Sequence, residues 1–408
     1  MQIFWSLFLE ILLFKNYALI NKMTDNNQFD NPNRCSGHTV SGAPLTVGQM
    51  YFPDDDELEG ILGRIYKNRY YTNHGPLAIE FEDSLSVYLG NQEVVVATNA
   101  TLGLMMTLVA LGVKGSVVVP SVAPPGVAEA VIWSGLTPVY CDVDENTVHI
   151  TVESVMECVK EDTSVIIAGS LWGNVCEFER LSCYAYQSGL EFIHYAVDAF
   201  GVSVNNQRVG SCGITTIFSF DTSKFLTCTG GGCVVTNSEI LARKIRNIRS
   251  SYGAGPFEKV PVTANGRFSE YQAAIGLWSL AWLDRRRSDN KMIYERYVKL
   301  LANIDGINLL EIDSSILSNH QDIVLFIDDN KFGSTRDQIQ NTLERSNIYT
   351  KNDCYTYLNN SDQLTYYHNG SLASMQRVSK KILRLPIGSQ VSLETVDDIC
   401  ALIKSCKL

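Results

Sequence analysis

Phe218-Ser219-Phe220-Asp221-Thr222-Ser223-Lys224, followed by Gly230-Gly231-Gly232, is the stretch on which the fold turns. The alternation of Phe218, Ser219 and Phe220 reads as the end of a buried strand, with Ser219 facing away from the two rings. Lys224 lies just beyond that strand and faces the triple-glycine turn. A lysine held in a closed pocket loses its proton more easily and becomes a nucleophilic amine. Such an amine can bond covalently to a carbonyl-bearing ligand. By itself the stretch does not decide the matter, because a lysine past a strand end is more often solvated.

Outward from this stretch, strand and helix alternate. Strands are expected at Val94–Ala97, Val117–Val119, Pro138–Val143, Ser164–Ala168, Phe192–Tyr195, Thr215–Phe220 and Gly232–Thr236. Helical spacing is expected over Asp54–Tyr66, Leu77–Leu89, Thr101–Leu111, Val127–Trp133, Val152–Val159 and Phe178–Gln187. Repeated β-α units with β-branched strands imply a mostly parallel sheet covered on both faces. After Ser269 the pattern changes to two long helices, Glu270–Leu283 and Asp289–Leu301. Strands near Ile323–Phe326 and Ile382–Leu385 and a closing helix, Val391–Ile403, follow. The expected organisation is an N-terminal extension over 1–45, poorly ordered, a large α/β domain over 46–285 and a smaller α+β domain over 286–408. A cleft between the two domains is the natural ligand site.

The chain has 408 residues, 19% charged and 45% hydrophobic, which suits a globular protein with a large core. Its formal net charge of -11 argues against nucleic acid as a partner. The 11 cysteines show no metal-ligand spacing and read as small apolar fillers in a reducing cytoplasm. Phe4–Phe14 is apolar but interrupted by Glu10 and too short to span a bilayer, so no stable membrane anchor is expected.

Asn99-Ala100-Thr101 joins a strand to a helix. Small residues there let a ligand approach the free N–H groups of the helix start, which suits a phosphate, and equally suits an ordinary helix cap. Neither a dinucleotide fingerprint nor a P-loop is present. In Asn265-Gly266-Arg267-Phe268-Ser269-Glu270 a loop enters a helix, with Ser269 as a cap and Asn265 and Arg267 available to an anion or to the turn.

From about Tyr71 onward the chain resembles the DegT family of nucleotide-sugar aminotransferases, pyridoxal-phosphate enzymes of fold type I. The resemblance is carried by Thr72–Pro76, Ala97–Leu104, Gly135–Val139, Asp142–Asp144, Trp172–Asn174, Ala199–Gly201, Phe218–Phe220 with Lys224, Gly231–Gly232, Asn265–Glu270 and Leu385–Gly388, in that order. It implies a seven-stranded type of sheet in the large domain. It implies that Lys224 is the Schiff-base lysine and proton shuttle, and that Ala100, Thr101 and Ser219 hold the cofactor phosphate. It also implies a homodimer with shared active sites, in which Asn265 reaches the neighbouring subunit's cofactor. The implied substrates are a nucleotide-linked keto-deoxysugar and glutamate, the product being an amino sugar for a polysaccharide or a glycosylated metabolite.

The pocket departs from that pattern. Tyr195 stands where the family carries the aspartate that pairs with the pyridine nitrogen, and a phenol cannot supply that charge. Asp198 stands at the usual His or Gln position. It is expected either to swing to the ring nitrogen, to sit beside the cofactor phenolate, or to serve a local turn. Pro124 replaces an aromatic that stacks on the ring, Gly230 replaces a glutamate and Ser170 replaces a histidine. A sugar aminotransferase is therefore the expected function. A non-catalytic relative that binds a nucleotide sugar or pairs with an active enzyme is an alternative, as is a dehydratase or lyase on the same cofactor.

Overall fold

The computed structural model describes residues 44–49, 51–352 and 372–407. Most of the expected N-terminal extension, residues 1–43, lies outside the described residues. Leu45, on its boundary, is buried in a short strand, Leu45–Thr46, that runs parallel to Ile348–Tyr349.

Seven strands build the main sheet: β1 Glu93–Ala97, β2 Ser116–Pro120, β3 Thr137–Cys141, β4 Thr163–Gly169, β5 Glu191–Tyr195, β6 Thr216–Ser219 and β7 Gly232–Thr236. Their spatial order is β1-β7-β6-β5-β4-β2-β3. All neighbours are parallel except β7, which is antiparallel to both β1 and β6. The side-chain alternation within one strand divides the core. Val95 joins the hydrophobic cluster on one face, while Val94 and Val96 join the cluster on the other. Apolar burial on both faces explains the near-continuous Val and Ile runs, each side chain worth about 1.5–3 kcal/mol.

The helices that position the site are α1 Pro76–Tyr88, α2 Ala100–Leu111, α3 Glu239–Arg249, α4 Glu270–Ala281 and α5 Leu283–Leu301. α3 has no counterpart among the expected helices, although Ser238 caps it and Leu241, Ala242, Ile245 and Ile248 bury one stripe. Its last residue, Arg249, is fully buried. Arg249 Nη1 donates to Glu82 Oε1 at 2.6 Å and to the Val96 carbonyl at 2.7 Å, which ties α3 and α1 to the end of β1.

α5 starts at Leu283 and not at Asp289. The charged run Asp284-Arg285-Arg286-Arg287 interrupts the apolar spacing between the two expected helices. In the fold, Arg286 is buried between the rings of Tyr51 and Trp278, 4.5 and 4.7 Å from their centroids, and the helix continues through it. β3 ends at Cys141, two residues early. Asp142 leaves the strand because its carboxylate accepts the N–H groups of Val143, Ser374 and Met375, and so anchors a later helix, α6 Ala373–Lys381.

A second sheet of β8 Ile307–Leu309, β9 Ile323–Ile327 and β10 Ile382–Leu385 is antiparallel. Tyr297 and Leu301 of α5 and the closing helix Leu393–Ser405 pack on it as a separate core.

Candidate active site

A cavity of about 430 Å³ opens at the carboxyl ends of β1, β5 and β6, lined from both sheets. Thr98, Asn99, Ala100, Thr101, Ser219, Gly230 and Gly231 are among its lining residues. Asn99 caps α2, but its side chain takes up the N–H of Leu102. The N–H groups of Ala100 and Thr101 thus stand at a helix start with its partial positive charge. Gly232 lets two backbones meet there. A Cβ at Gly232 would lie 2.8 Å from Ala100 N and 2.6 Å from the Phe218 carbonyl oxygen. Helix-start amides and the Ser219 hydroxyl form a donor set suited to a phosphate.

Lys224 also lines the cavity, and its Nζ donates to Asp198 Oδ1 at 2.6 Å. Asp198 Oδ2 accepts the N–H of Trp172 at 3.1 Å. Trp172 is in the left-handed region, φ 58°, and directs that N–H inward. Asp198 is 2% exposed. Burial pushes its pKa up, but the Lys224 ammonium, the Arg384 guanidinium and the Trp172 N–H outweigh burial and hold the carboxyl below its ordinary range. Asp198 is therefore not a carboxylate of a local turn: its oxygens take the Lys224 amine and the Trp172 N–H. Tyr195, at the end of β5, Pro124 and Val197 also line the cavity.

Phosphate donors and an amine in one cavity fit pyridoxal phosphate. Tyr195, at the position where the resemblance implies a ring-side carboxylate, lines the cavity.

Asn265 does not line this cavity. It pairs with Ser250, and the neighbouring Gly266 carbonyl accepts the N–H of Thr98. Gly230 contributes backbone, with its carbonyl held by Gln272. Ser170 bonds to His194 behind the sheet end.

Several site residues are not evident in the sequence. Arg384 of β10 lines the cavity, buried, with Nε and Nη2 at 3.1 and 2.6 Å from Asp322 Oδ1. Burial raises the Asp322 pKa, against the pull of Arg384. Exposed Lys351 also lines the cavity. Asp322 belongs to a clasp, Ser318–Asp322. Ser318 Oγ donates to the Gly173 carbonyl, Asn319 Nδ2 donates to the carbonyls of Asp198 and Phe200, and Gln321 Oε1 accepts the N–H of Phe225. A Cβ at Gly173 would stand 2.5 Å from Asn319 Oδ1, so the clasp needs glycine there. The available signal is a charge against apolar strands: Arg384 within Ile382-Leu383-Arg384-Leu385, and Asp322 before Ile323-Val324-Leu325.

Beneath the site, His194 stacks on Phe178 with ring centroids 4.9 Å apart and bonds to Ser170 Oγ at 2.7 Å. Burial, with His149 nearby, pushes His194 down to about 3, and burial pushes His149 down to about 4 despite Asp144. Both rings are neutral in the fold, whereas an unfolded histidine titrates near 6.5. The stability this gives is complete above about pH 6.5 and is lost as pH falls toward the folded values. At pH 5 the loss is roughly 2 kcal/mol per ring. Urea denaturation at pH 7 and pH 5 measures it, and equal stability at the two values would contradict neutral burial.

The family model described as the DegT/DnrJ/EryC1/StrS aminotransferase family matches residues 54–404. Over 370 residues the chain is 27% identical to a dTDP-4-amino-4,6-dideoxy-D-glucose transaminase of Shigella dysenteriae, covering 89% of this chain and 99% of that protein. The Escherichia coli transaminase of the same name is 28% identical over 368 residues, 88% of this chain and 98% of that protein. The crystal structure of DesI in the presence of its TDP-sugar product superposes with a TM-score of 0.84 at 29% identity, covering 91% of this chain and 94% of that one.

Proposed function

Because the chain belongs to the DegT/DnrJ/EryC1/StrS aminotransferase family, we propose that it transfers an amino group from glutamate to a keto-deoxysugar linked to a nucleoside diphosphate, with pyridoxal phosphate as cofactor. The observation that carries this reading is the placement of Lys224 Nζ in one cavity with the Ala100–Thr101 helix start and Ser219.

When bound, the cofactor supplies an aldehyde and an electron-withdrawing ring. Ala100, Thr101 and Ser219 hold its phosphate and fix its distance from Lys224. Val197, Pro124 and Tyr195 bound the space for the ring. Lys224 anchors the cofactor through Nζ, and the same amine carries protons during transfer. Arg384 and Lys351 place positive charge in the cavity, and both substrates are anionic.

The active form is proposed as a homodimer with shared sites, Asn265 of the partner subunit completing the phosphate end. Its place outside its own cavity, beside Thr98, is compatible with that role. A cytoplasmic location accords with nine free cysteines among the described residues. Among those residues no helix is long and apolar enough to cross a membrane.

The test combines purified protein, pyridoxal phosphate, glutamate and a dTDP-linked 4-keto-6-deoxyhexose. Formation of 2-oxoglutarate matched by an amino sugar in the mass spectrum is the expected result. If neither forms while the cofactor is bound, the aminotransferase reading fails.

A further inference from the structure

The charges around Lys224 alternate in sign across the two sheets. Lys224 Nζ meets Asp198, while Arg384 is held on Asp322. Lys224, Asp198 and Asp322 are drawn from segments that the clasp joins: Asn319 holds the carbonyl of Asp198, and Gln321 holds the N–H next to Lys224. Asp198 is thus fixed through its backbone as well as through Trp172. Its carboxylate is buried against the reacting amine, and the Tyr195 side of the cavity offers a phenol.

We propose that Asp198 is a catalytic carboxylate that keeps Nζ of Lys224 protonated, so that the counter-charge of the site acts at the lysine nitrogen and not at the ring nitrogen. This rests on the reading of Lys224 as the anchoring lysine. A buried carboxylate is costly without a nearby positive charge, so loss of the Lys224 proton is opposed by Asp198 itself. The other groups around the pair do not supply this. Asp221 lines the cavity but is exposed, and its carboxylate accepts the N–H of Thr222. Asp322 is committed to Arg384. Arg384 and Lys351 are cations, and their fields favour loss of the lysine proton. Trp172 contributes a neutral N–H, and Ser223 and Tyr195 contribute hydroxyls.

Asp198→Asn removes the charge and retains an acceptor for the Trp172 N–H. The first measurement uses protein without cofactor, so it stands whether or not the chain transaminates. Labelling of Lys224 by trinitrobenzenesulfonate is followed at pH 8.5 by peptide mass spectrometry. Lys224 in Asp198→Asn is expected to react at least about tenfold faster than in wild type, because about tenfold more of its amine is free of the proton. Asp221→Asn should react within about twofold of wild type, as expected for an exposed, screened charge.

The second measurement titrates the visible band of the cofactor-loaded protein without amino donor. Its midpoint should move down by about one pH unit or more in Asp198→Asn and be restored in Asp198→Glu, which returns the charge. If Asp198→Asn does not fold, the comparison of Asp198→Glu with wild type by both readouts decides: a retained slow reaction and midpoint support the proposal. Equal labelling in Asp198→Asn and wild type, or acceleration by Asp221→Asn instead, overturns it. Failure to produce an amino sugar with the labelling difference intact would sink the proposed function and leave the Asp198–Lys224 coupling standing.

Discussion

Lys224→Ala is expected to lower transamination by at least about 10³-fold, the scale for loss of a group that both bonds covalently and moves protons. The visible band of the bound cofactor should vanish with it. The substitution also leaves Asp198 buried at 2% exposure with no ammonium beside it. A second effect is therefore expected: Asp198 takes up a proton more readily, and stability at neutral pH falls. Absorbance spectra and steady-state rates check the first effect, and urea midpoints check the second. A retained band in Lys224→Ala would point to Lys351, the other amine lining the cavity.

Glu270→Ala is expected to destabilise the fold by roughly 3–5 kcal/mol, because it strips buried N–H groups of their acceptor. Glu270 opens α4 and is fully buried. Its Oε1 accepts the N–H groups of Gly75 and Ala78 at 2.9 and 3.0 Å, and its Oε2 accepts that of Leu77 at 2.9 Å. These N–H groups open α1, whose N-cap, Gly75, has no side chain to offer. One carboxylate thus does the work of a cap for a distant helix. The change is read as a lower urea midpoint at unchanged slope. A loss below about 1 kcal/mol would mean that water replaces the carboxylate at the helix start. Glu270→Gln keeps one acceptor oxygen, faces the remaining N–H with an NH2 group, and should lose less than Glu270→Ala.

Much of the sheet can be read from the sequence because its strands carry unbroken β-branched runs and its helices carry apolar stripes. Elements whose periodicity is interrupted by buried charge are harder. The start of α5 is hidden behind Arg286, whose partners Tyr51 and Trp278 are distant in the chain or concealed by the helix turn. α3 escapes notice although its cap and stripe are present. Within the site, Lys224, Ser219, Ala100 and Thr101 are legible because each sits at a strand or helix end with a recognisable local pattern. Asp198 is legible as a residue but not as a partner. Its position on Lys224 depends on Trp172 and on the clasp from Asn319, and neither contact has a signature in local sequence. Arg384 and Asp322 show in sequence only as charges against apolar strands, because their pairing is a property of two separated segments. Asn265 keeps the role proposed across a dimer, since its own chain does not bring it to its cavity.

The clasp at Ser318–Asp322 also bears on the order in which the protein matures. Every phosphate donor in the chain's own cavity lies before residue 232, whereas the clasp that holds the Asp198 carbonyl and Arg384 comes from 319–322, and Arg384 itself from β10. During synthesis the earlier segments emerge first and fold as they become available. A nascent chain that has completed β7 would own an anion cradle and a lysine, yet hold neither the buttress for its carboxylate nor the cation from β10. Cofactor capture in a competent form is then expected only after the last strand of the second sheet has docked.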